Sequence, residues 1–199
     1  VSSADVVIEA IIEDVGAKQS LYRTLEPKLK PEAVLATNTS SIRLEALSPA
    51  LDQPERLVGL HFFNPVARMQ LVEIVHGETT GEVWTQRAAA FTRAIDRLPL
   101  PVKSSPGFLV NRILTPYMLE AVFLYAEGVS INGIDSAAKS FGMPMGPIEL
   151  ADTVGLDICL SVGNILAEEL GMEVPDLLRK KVARGHLGRK SGQGFYTWN

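Results

Sequence analysis

Cysteine and long apolar runs are scarce in this chain of 199 residues, and each scarcity excludes a class of protein. The single cysteine, Cys159, excludes an intrachain disulfide framework and a multi-cysteine zinc site, and it indicates a reducing compartment such as the cytoplasm. No uninterrupted apolar run reaches the roughly 20 residues that a membrane-spanning helix needs. We therefore expect no membrane span. A net charge of −4 disfavours binding to nucleic-acid phosphates, so we expect no nucleic-acid partner either.

Several fingerprints of enzyme sites are also missing. The 16 glycines never form the Gly-x-Gly-x-x-Gly spacing that cradles a dinucleotide pyrophosphate after a strand. The chain has no P-loop, no His-Glu-x-x-His motif and no nucleophile elbow, and we predict no metal site. It starts at Val1, without methionine, in a segment that already has the pattern of a buried strand. The sequence therefore looks like a piece of a longer protein.

What the sequence does contain is an ordinary globular composition, with 46% hydrophobic and 21% charged residues. In the first half, apolar runs typical of strands alternate with helical spacing, which predicts an α/β layer around a mainly parallel sheet. The predicted strands cover residues 6–12, 34–37, 57–60, 71–75 and 100–103. The predicted helices cover residues 14–29, 42–47 and 82–98. The last of these should bury a face that includes Val83 and Leu98.

After residue 103 the pattern becomes helical almost to the end of the chain. The predicted helices cover residues 108–127, 134–140 and 175–184, with one or two more between 147 and 170. Pro175 should occupy the first position of its helix. The predicted domains are therefore residues 1–103, with the α/β pattern, and residues 104–199, which are helical and end in a glycine-rich tail.

His61 stands at the end of a predicted strand, where open α/β sheets bind ligands, and Glu73 lies in the next predicted strand. A carboxylate that accepts a hydrogen bond from one imidazole nitrogen fixes the tautomer and stabilises the imidazolium, which makes histidine an effective general base. If the two strands are neighbours, this pair can form. The spacing alone also allows a structural histidine and an exposed glutamate.

Other polar residues allow both a structural and a functional interpretation. The tetrad Asn38–Ser41 follows a strand, where it fits either a ligand's oxygens or a cap of the next helix. Asn111 is polar within an apolar stretch and needs a partner, either a nearby loop or a substrate. Cys159 has no histidine or metal partner at a recognisable spacing, so we expect a buried thiol. Lys190, in the tail, fits a phosphate contact or a solvent-facing residue.

Seven short motifs, taken in order, resemble those of the 3-hydroxyacyl-CoA dehydrogenase family and together span nearly the whole chain. They read ADVVIEA at 4–10, NTSS at 38–41, GLHFFNP at 59–65, LVEI at 71–74, SPGFLVNR at 105–112, PMGP at 144–147 and GQGFY at 192–196. Each motif alone is weak, but the ordered series is specific. The resemblance implies a Rossmann-like NAD-binding domain, here lacking its first strand and glycine fingerprint, followed by the helical C-terminal domain of the family, with acyl-CoA between them.

The resemblance also implies roles for residues at the motif positions. His61 corresponds to the general base and Glu73 to the carboxylate that orients it. Ser40 and Asn111 correspond to positions that contact the substrate and assist catalysis. Asn64 corresponds to a position near both cofactor and substrate. The positions that contact the cofactor in the family correspond to Glu13, Lys18, Ser40, Asn64 and Lys190.

The implied reaction is the NAD-dependent oxidation of an L-3-hydroxyacyl-CoA to the 3-oxoacyl-CoA in fatty-acid β-oxidation. The parent protein is either the α-subunit of a multifunctional fatty-acid oxidation complex or a stand-alone 3-hydroxybutyryl-CoA dehydrogenase, which would dimerise through its helical domain. A non-catalytic relative and a dehydrogenase of non-CoA hydroxy acids are the alternatives. Without the glycine fingerprint, residues 1–199 alone should bind NAD weakly or not at all and show little turnover.

Overall fold

Five strands form a single sheet in the first part of the molecule, which is described here for residues 1–199 from a computed structural model. The strands are β1 (Val6–Glu9), β2 (Val34–Thr37), β3 (Leu57–Phe62), β4 (Leu71–His76) and β5 (Leu98–Lys103). They lie in the order β1-β2-β3-β4-β5, and all neighbours are parallel except β3 and β4, which are antiparallel. The predicted α/β architecture with a mainly parallel sheet is confirmed.

Helices cover both faces of this sheet, which explains why every residue of β2 is buried. The helices are α1 (Val15–Leu25), α2 (Leu44–Leu47) and α3 (Glu82–Ala94). The side chain of Asp14 begins α1 by accepting a hydrogen bond from the N–H of Ala17 at 2.7 Å. One core cluster contains Tyr22, Leu44 and Leu47 from α1 and α2, and the cluster on the opposite face contains Trp84 and Ala88 from α3.

One interpretation of the polar tetrad and one prediction for α3 are contradicted. Ser40 and Ser41 do not cap α2, because its N-cap residue is Arg43 and the N–H of Leu44 donates to Ser104 Oγ at 2.9 Å. Helix α3 ends at Ala94, and the exposed fractions of Val83 and Leu98 are 51% and 60%. The buried face of α3 instead carries the large ring of Trp84, which packs on the sheet beneath the guanidinium groups of nearby arginines.

The chain divides into two units, Val1–Leu109 and Val110–Asn199, and the second unit contains five α-helices. They are α4 (Val110–Ala126), α5 (Ile131–Phe141), α6 (Pro147–Val154), α7 (Leu156–Leu170) and α8 (Asp176–Ala183). The predicted break between 147 and 170 falls at Gly155, whose φ of 109° is accessible to glycine. Pro175 is the N-cap of α8 and not its first helical residue, so the helix begins one residue later than predicted. No single helix is long and apolar enough to cross a bilayer, and the pair α6 and α7 meets that requirement only together, with a bend of 103°.

Two buried aspartates organise the polar interior of this second unit. Asp135 accepts hydrogen bonds from the N–H groups of Ile148 and Glu149 at the start of α6. Asp152, which is fully buried, accepts from the N–H groups of Phe195 and Tyr196 and from the indole Nε1 of Trp198, all within 2.9 Å. The glycine-rich tail therefore folds back onto Asp152.

Cys159 lies in the core of the second unit, where burial raises the pKa of its thiol to about 12. The thiolate fraction near neutral pH is then lower by roughly 10³ than for a free cysteine. We expect a thiol reagent to leave the native protein unmodified and to react with Cys159 promptly after denaturation, as measured by mass spectrometry. Rapid modification of the folded protein would contradict this placement.

Candidate active site

His61 and Glu73 face each other across the antiparallel pair of β3 and β4, where they are direct partners in the register. The imidazole Nδ1 lies 2.7 Å from Glu73 Oε2. Glu73 is fully buried and His61 is 6% exposed, so water competes little for this contact. The structure therefore brings together the two residues that the sequence offered as a base and its orienting carboxylate.

Aromatic rings enclose the imidazole. The ring centroids of Phe63 and Phe108 lie 4.6 Å and 5.5 Å from that of His61. The bond to Glu73 occupies Nδ1, and no hydrogen bond within the chain uses Nε2. With Nδ1–H donated to the carboxylate, Nε2 carries the lone pair, and the ring can accept a proton there.

The carboxylate of Glu13 binds the polar loop that follows β2. Glu13 Oε1 accepts hydrogen bonds from the hydroxyl of Thr39, the N–H of Ser40, and the N–H and hydroxyl of Ser41. Burial alone raises the pKa of Glu13, but the Thr39 hydroxyl, the Lys18 ammonium and the Ser40 N–H together bring it below its ordinary value. Glu13 is therefore a carboxylate that holds Ser40 beside the end of β2.

A buried ion pair supports this loop from below. Lys18 is 1% exposed, and its Nζ lies 2.7 Å from Glu9 Oε1 and 3.4 Å from Glu13 Oε2. Glu9 also accepts from the N–H of Ile11 and from the hydroxyls of Tyr22 and Thr37. Because each oxygen of Glu9 has two donors, its charge is fully compensated in the interior.

The loop and the dyad lie at the same edge of the sheet. β1, β2 and β3 are parallel and in register at Glu9, Thr37 and Gly59, so their carboxyl ends align. Directly beyond these ends, Asn38 Oδ1 accepts the N–H of Phe62 at 3.1 Å, which ties the polar loop to the residue after His61. Polar groups that converge at the carboxyl ends of parallel strands are typical of ligand sites in open α/β sheets.

The other residues singled out in the sequence have simple settings. The Ser40 hydroxyl makes no hydrogen bond within the chain, and Asn64 is exposed just beyond β3. Asn111 lies in the first turn of α4 in the second unit, and the nearby loop that would satisfy its amide supplies no hydrogen bond. Lys190, also in the second unit, forms an ion pair with Asp157 at 2.5 Å.

Two groups that hold the site, Glu9 and the N–H of Leu109, were not expected from the sequence. Glu9 carried a signal, since it is an acidic residue inside an otherwise apolar strand. The N–H of Leu109, which donates to Glu73 Oε1 at 2.9 Å, carried none, because a backbone donor has no side-chain signature.

Known proteins match this chain over nearly its whole length. Residues 1–105 match the sequence model of the NAD-binding domain of 3-hydroxyacyl-CoA dehydrogenases, and residues 107–198 match that of their C-terminal domain. The chain is 43% identical to the fatty acid oxidation complex subunit alpha of Vibrio campbellii, a match that covers 98% of this chain and 28% of that protein. It is 41% identical to 3-hydroxybutyryl-CoA dehydrogenase of Clostridioides difficile, covering 98% of this chain and 71% of that protein.

A solved structure is also similar over the whole chain. The crystal structure of (S)-3-hydroxybutyryl-CoA dehydrogenase PaaH1 from Ralstonia eutropha superposes with a TM-score of 0.94 at 37% identity. That match covers 100% of this chain and 72% of the other. The 199 residues thus span about a quarter of the multifunctional relatives and under three quarters of the stand-alone ones.

Proposed function

Because this chain belongs to the 3-hydroxyacyl-CoA dehydrogenase family, we propose that it carries the catalytic dyad of an enzyme that oxidises L-3-hydroxyacyl-CoA to 3-oxoacyl-CoA with NAD. The observation that supports this most directly is the buried contact between His61 Nδ1 and Glu73 Oε2, with Nε2 free to accept a proton. A buried, oriented imidazole of this kind matches the need of alcohol oxidation for a general base.

In the proposed reaction the hydroxyl proton of the substrate passes to His61 Nε2 as the C3 hydride leaves. NAD, when bound, supplies the acceptor for that hydride. The negative charge of Glu73 stabilises the imidazolium that forms, and the imidazolium in turn stabilises developing charge on the substrate oxygen. In the reverse direction His61 returns the proton to the oxygen of the 3-oxo group.

The polar edge of the sheet fits one end of such a cofactor. The side chain of Glu13 is 38% exposed, and the hydroxyl of Ser40 makes no hydrogen bond within the chain, so both can bind a ligand. The side chain of Lys18 is buried and leaves little surface for a ligand. We propose that it acts through its ion pair with Glu13, which it holds in place. We propose for Ser40 and Asn64 contacts to both cofactor and substrate.

Asn111 and Lys190 belong to the second unit, and their proposed roles follow from their motif positions alone. Asn111 is proposed to contact the substrate oxygen, since an amide without a hydrogen-bond partner in its own unit can bind a ligand. Lys190 is proposed to contact the cofactor, for which it has to exchange its ion pair with Asp157.

An assay of the full-length protein separates this proposal from its competitors. Consumption of NADH should depend on acetoacetyl-CoA and should be at least about tenfold slower with free acetoacetate, because the CoA group contributes binding energy. Rapid turnover of the free acid would support a non-CoA hydroxy-acid dehydrogenase. No turnover of either, in a folded protein that binds NADH, would identify a non-catalytic relative.

We further propose that the protein forms a homodimer through its second unit. Between α4, α5 and the start of α6 lies an apolar groove of about 690 Å³, on whose rim Phe141 is 89% exposed and Ile113 is 65% exposed. We take these large, exposed apolar side chains around one groove as the candidate dimer surface. Membership of a multifunctional chain is the alternative, in which another part of the same polypeptide covers the groove.

Replacing Phe141 by aspartate should convert the dimer into a monomer, because a carboxylate on the groove rim has to be desolvated on association. Sedimentation velocity measures the change. Val83→Asp, at an exposed apolar residue on α3 of the first unit, is the matched control and should leave the dimer intact. An unchanged sedimentation coefficient for Phe141→Asp would place the interface elsewhere.

A further inference from the structure

Two consecutive residues in the first unit, just before its end, adopt left-handed backbone conformations. Gly107 has a φ of 70°, which glycine adopts without steric cost, but Phe108 has a φ of 49°, which is uncommon for a side chain of this size. The conformation is held by two hydrogen bonds, from the N–H of Phe108 to Ser105 O at 2.9 Å and from Ser105 Oγ to Phe108 O at 3.3 Å. Strained backbone of this kind clusters at functional sites.

The strained turn reaches both members of the dyad. The side chain of Phe108, which is 2% exposed, packs against the His61 ring in a T-shaped arrangement, with ring centroids 5.5 Å apart. The backbone N–H of Leu109 donates a hydrogen bond to Glu73 Oε1 at 2.9 Å. Glu73 therefore has one oxygen directed to the imidazole and the other directed to the turn, and rotation of the carboxylate breaks at least one of these bonds.

A glycine at 108 would allow the same backbone conformation without strain, but it would remove one of the two aromatic rings that pack against His61. Phenylalanine supplies that ring, and the backbone beyond it aims the Leu109 N–H at Glu73. The two contacts together account for a bulky residue at a position whose backbone favours glycine.

We propose that the turn formed by residues 105–109 is a positioning element that fixes the plane of the Glu73 carboxylate and, through it, the orientation of His61. This inference rests on the proposed function, in which the dyad acts as the general base. It assigns to a backbone N–H a role that no side-chain comparison can detect. The turn is not itself catalytic, since it reaches the reaction only through Glu73 and His61.

The test replaces the N–H of Leu109 by an oxygen, which also weakens the Phe108 carbonyl as an acceptor. Incorporating the α-hydroxy analogue of leucine at position 109 of the full-length protein turns that amide into an ester and leaves the side chain unchanged. We expect kcat to fall by about tenfold, with KM for the acyl-CoA changed by less than about twofold, since a hydrogen bond to a charged group is lost but no substrate contact is. The same ester at Ile148, whose N–H donates to buried Asp135 at 2.9 Å, controls for the loss of any such bond.

A measurement that needs no activity keeps this inference separate from the proposed function. In protein labelled with ¹⁵N-histidine, the proton on His61 Nδ1 should give a downfield NMR resonance that exchanges slowly with solvent. In the Leu109 ester, this proton should exchange faster and move upfield, whereas the Ile148 ester should leave it unchanged. An unaltered resonance in a folded Leu109 ester would overturn the positioning role, whether or not the protein oxidises an acyl-CoA.

If the Leu109 ester fails to fold, Gly107→Ala provides the second variant, because a Cβ at a φ of 70° disfavours the turn without removing any donor. It should accelerate exchange of the same proton. Slow exchange in the folded Gly107→Ala protein would count against the proposal.

Discussion

His61→Gln is expected to lower kcat for acetoacetyl-CoA reduction in the full-length protein by on the order of 10³-fold, with a much smaller effect on KM. Glutamine preserves the size and polarity of the side chain, and its amide can still contact Glu73, but it cannot carry a proton between substrate and solvent. Steady-state kinetics with NADH consumption as the readout measures the loss. Circular dichroism of the variant checks that the sheet is intact.

His76→Gln is the matched control for this prediction. His76 ends the same strand that carries Glu73, and no side-chain hydrogen bond involves it. The control should retain a kcat within about twofold of the unmodified protein. If the His61 variant were as active as the His76 variant, the dyad would be a structural pair and another group would serve as the base.

Asp152→Ala is expected to lower the free energy of unfolding by about 3–5 kcal/mol, the largest effect on stability that we predict. Three donors converge on this buried carboxylate, and each loses its acceptor at once. The tail also approaches Asp152 so closely that a Cβ at Gly194 would collide with the Asp152 carboxylate. Urea denaturation monitored by tryptophan fluorescence suits the measurement, because Trp198 is one of the three donors.

Asp152→Asn should be nearly as damaging, because its NH₂ group turns one acceptor into a donor that faces other donors. Asp176→Ala, at an exposed residue in the first turn of α8, is the control and should cost less than about 1 kcal/mol. A cost for Asp152→Ala as small as that of the control would mean that water replaces the lost acceptor and that the tail is held by other contacts.

The sequence predicted the architecture better than it predicted individual surfaces. Apolar runs located all five strands because a sheet covered on both faces needs continuous apolar segments. The predicted buried face of α3 is wrong because helical spacing includes Val83 and Leu98, whereas the ring of Trp84 buries far more area. The antiparallel sense of β3 and β4 was also not foreseen, since both senses use the same apolar pattern.

The candidate site divides in the same way. His61 and Glu73 were recognisable because both are polar residues in apolar strands, and Ser40 because it follows one. The buried ion pair of Glu9 and Lys18 depends on how α1 packs beneath the polar loop, which periodicity does not specify. The Leu109 N–H depends on a backbone conformation at Phe108 that the identity of the residue argues against.

The antiparallel pairing of His61 with Glu73 has a consequence for insertions and deletions. Side chains in a strand alternate between faces, so adding or removing one residue inside β3 or β4 would move one partner to the opposite face of the sheet. The connection between them, residues 63–70, lies outside both strands. Length changes there leave the register untouched. Variants that change the length of the loop should therefore keep the contact between His61 and Glu73. A single residue inserted within β3 or β4 should separate the two side chains.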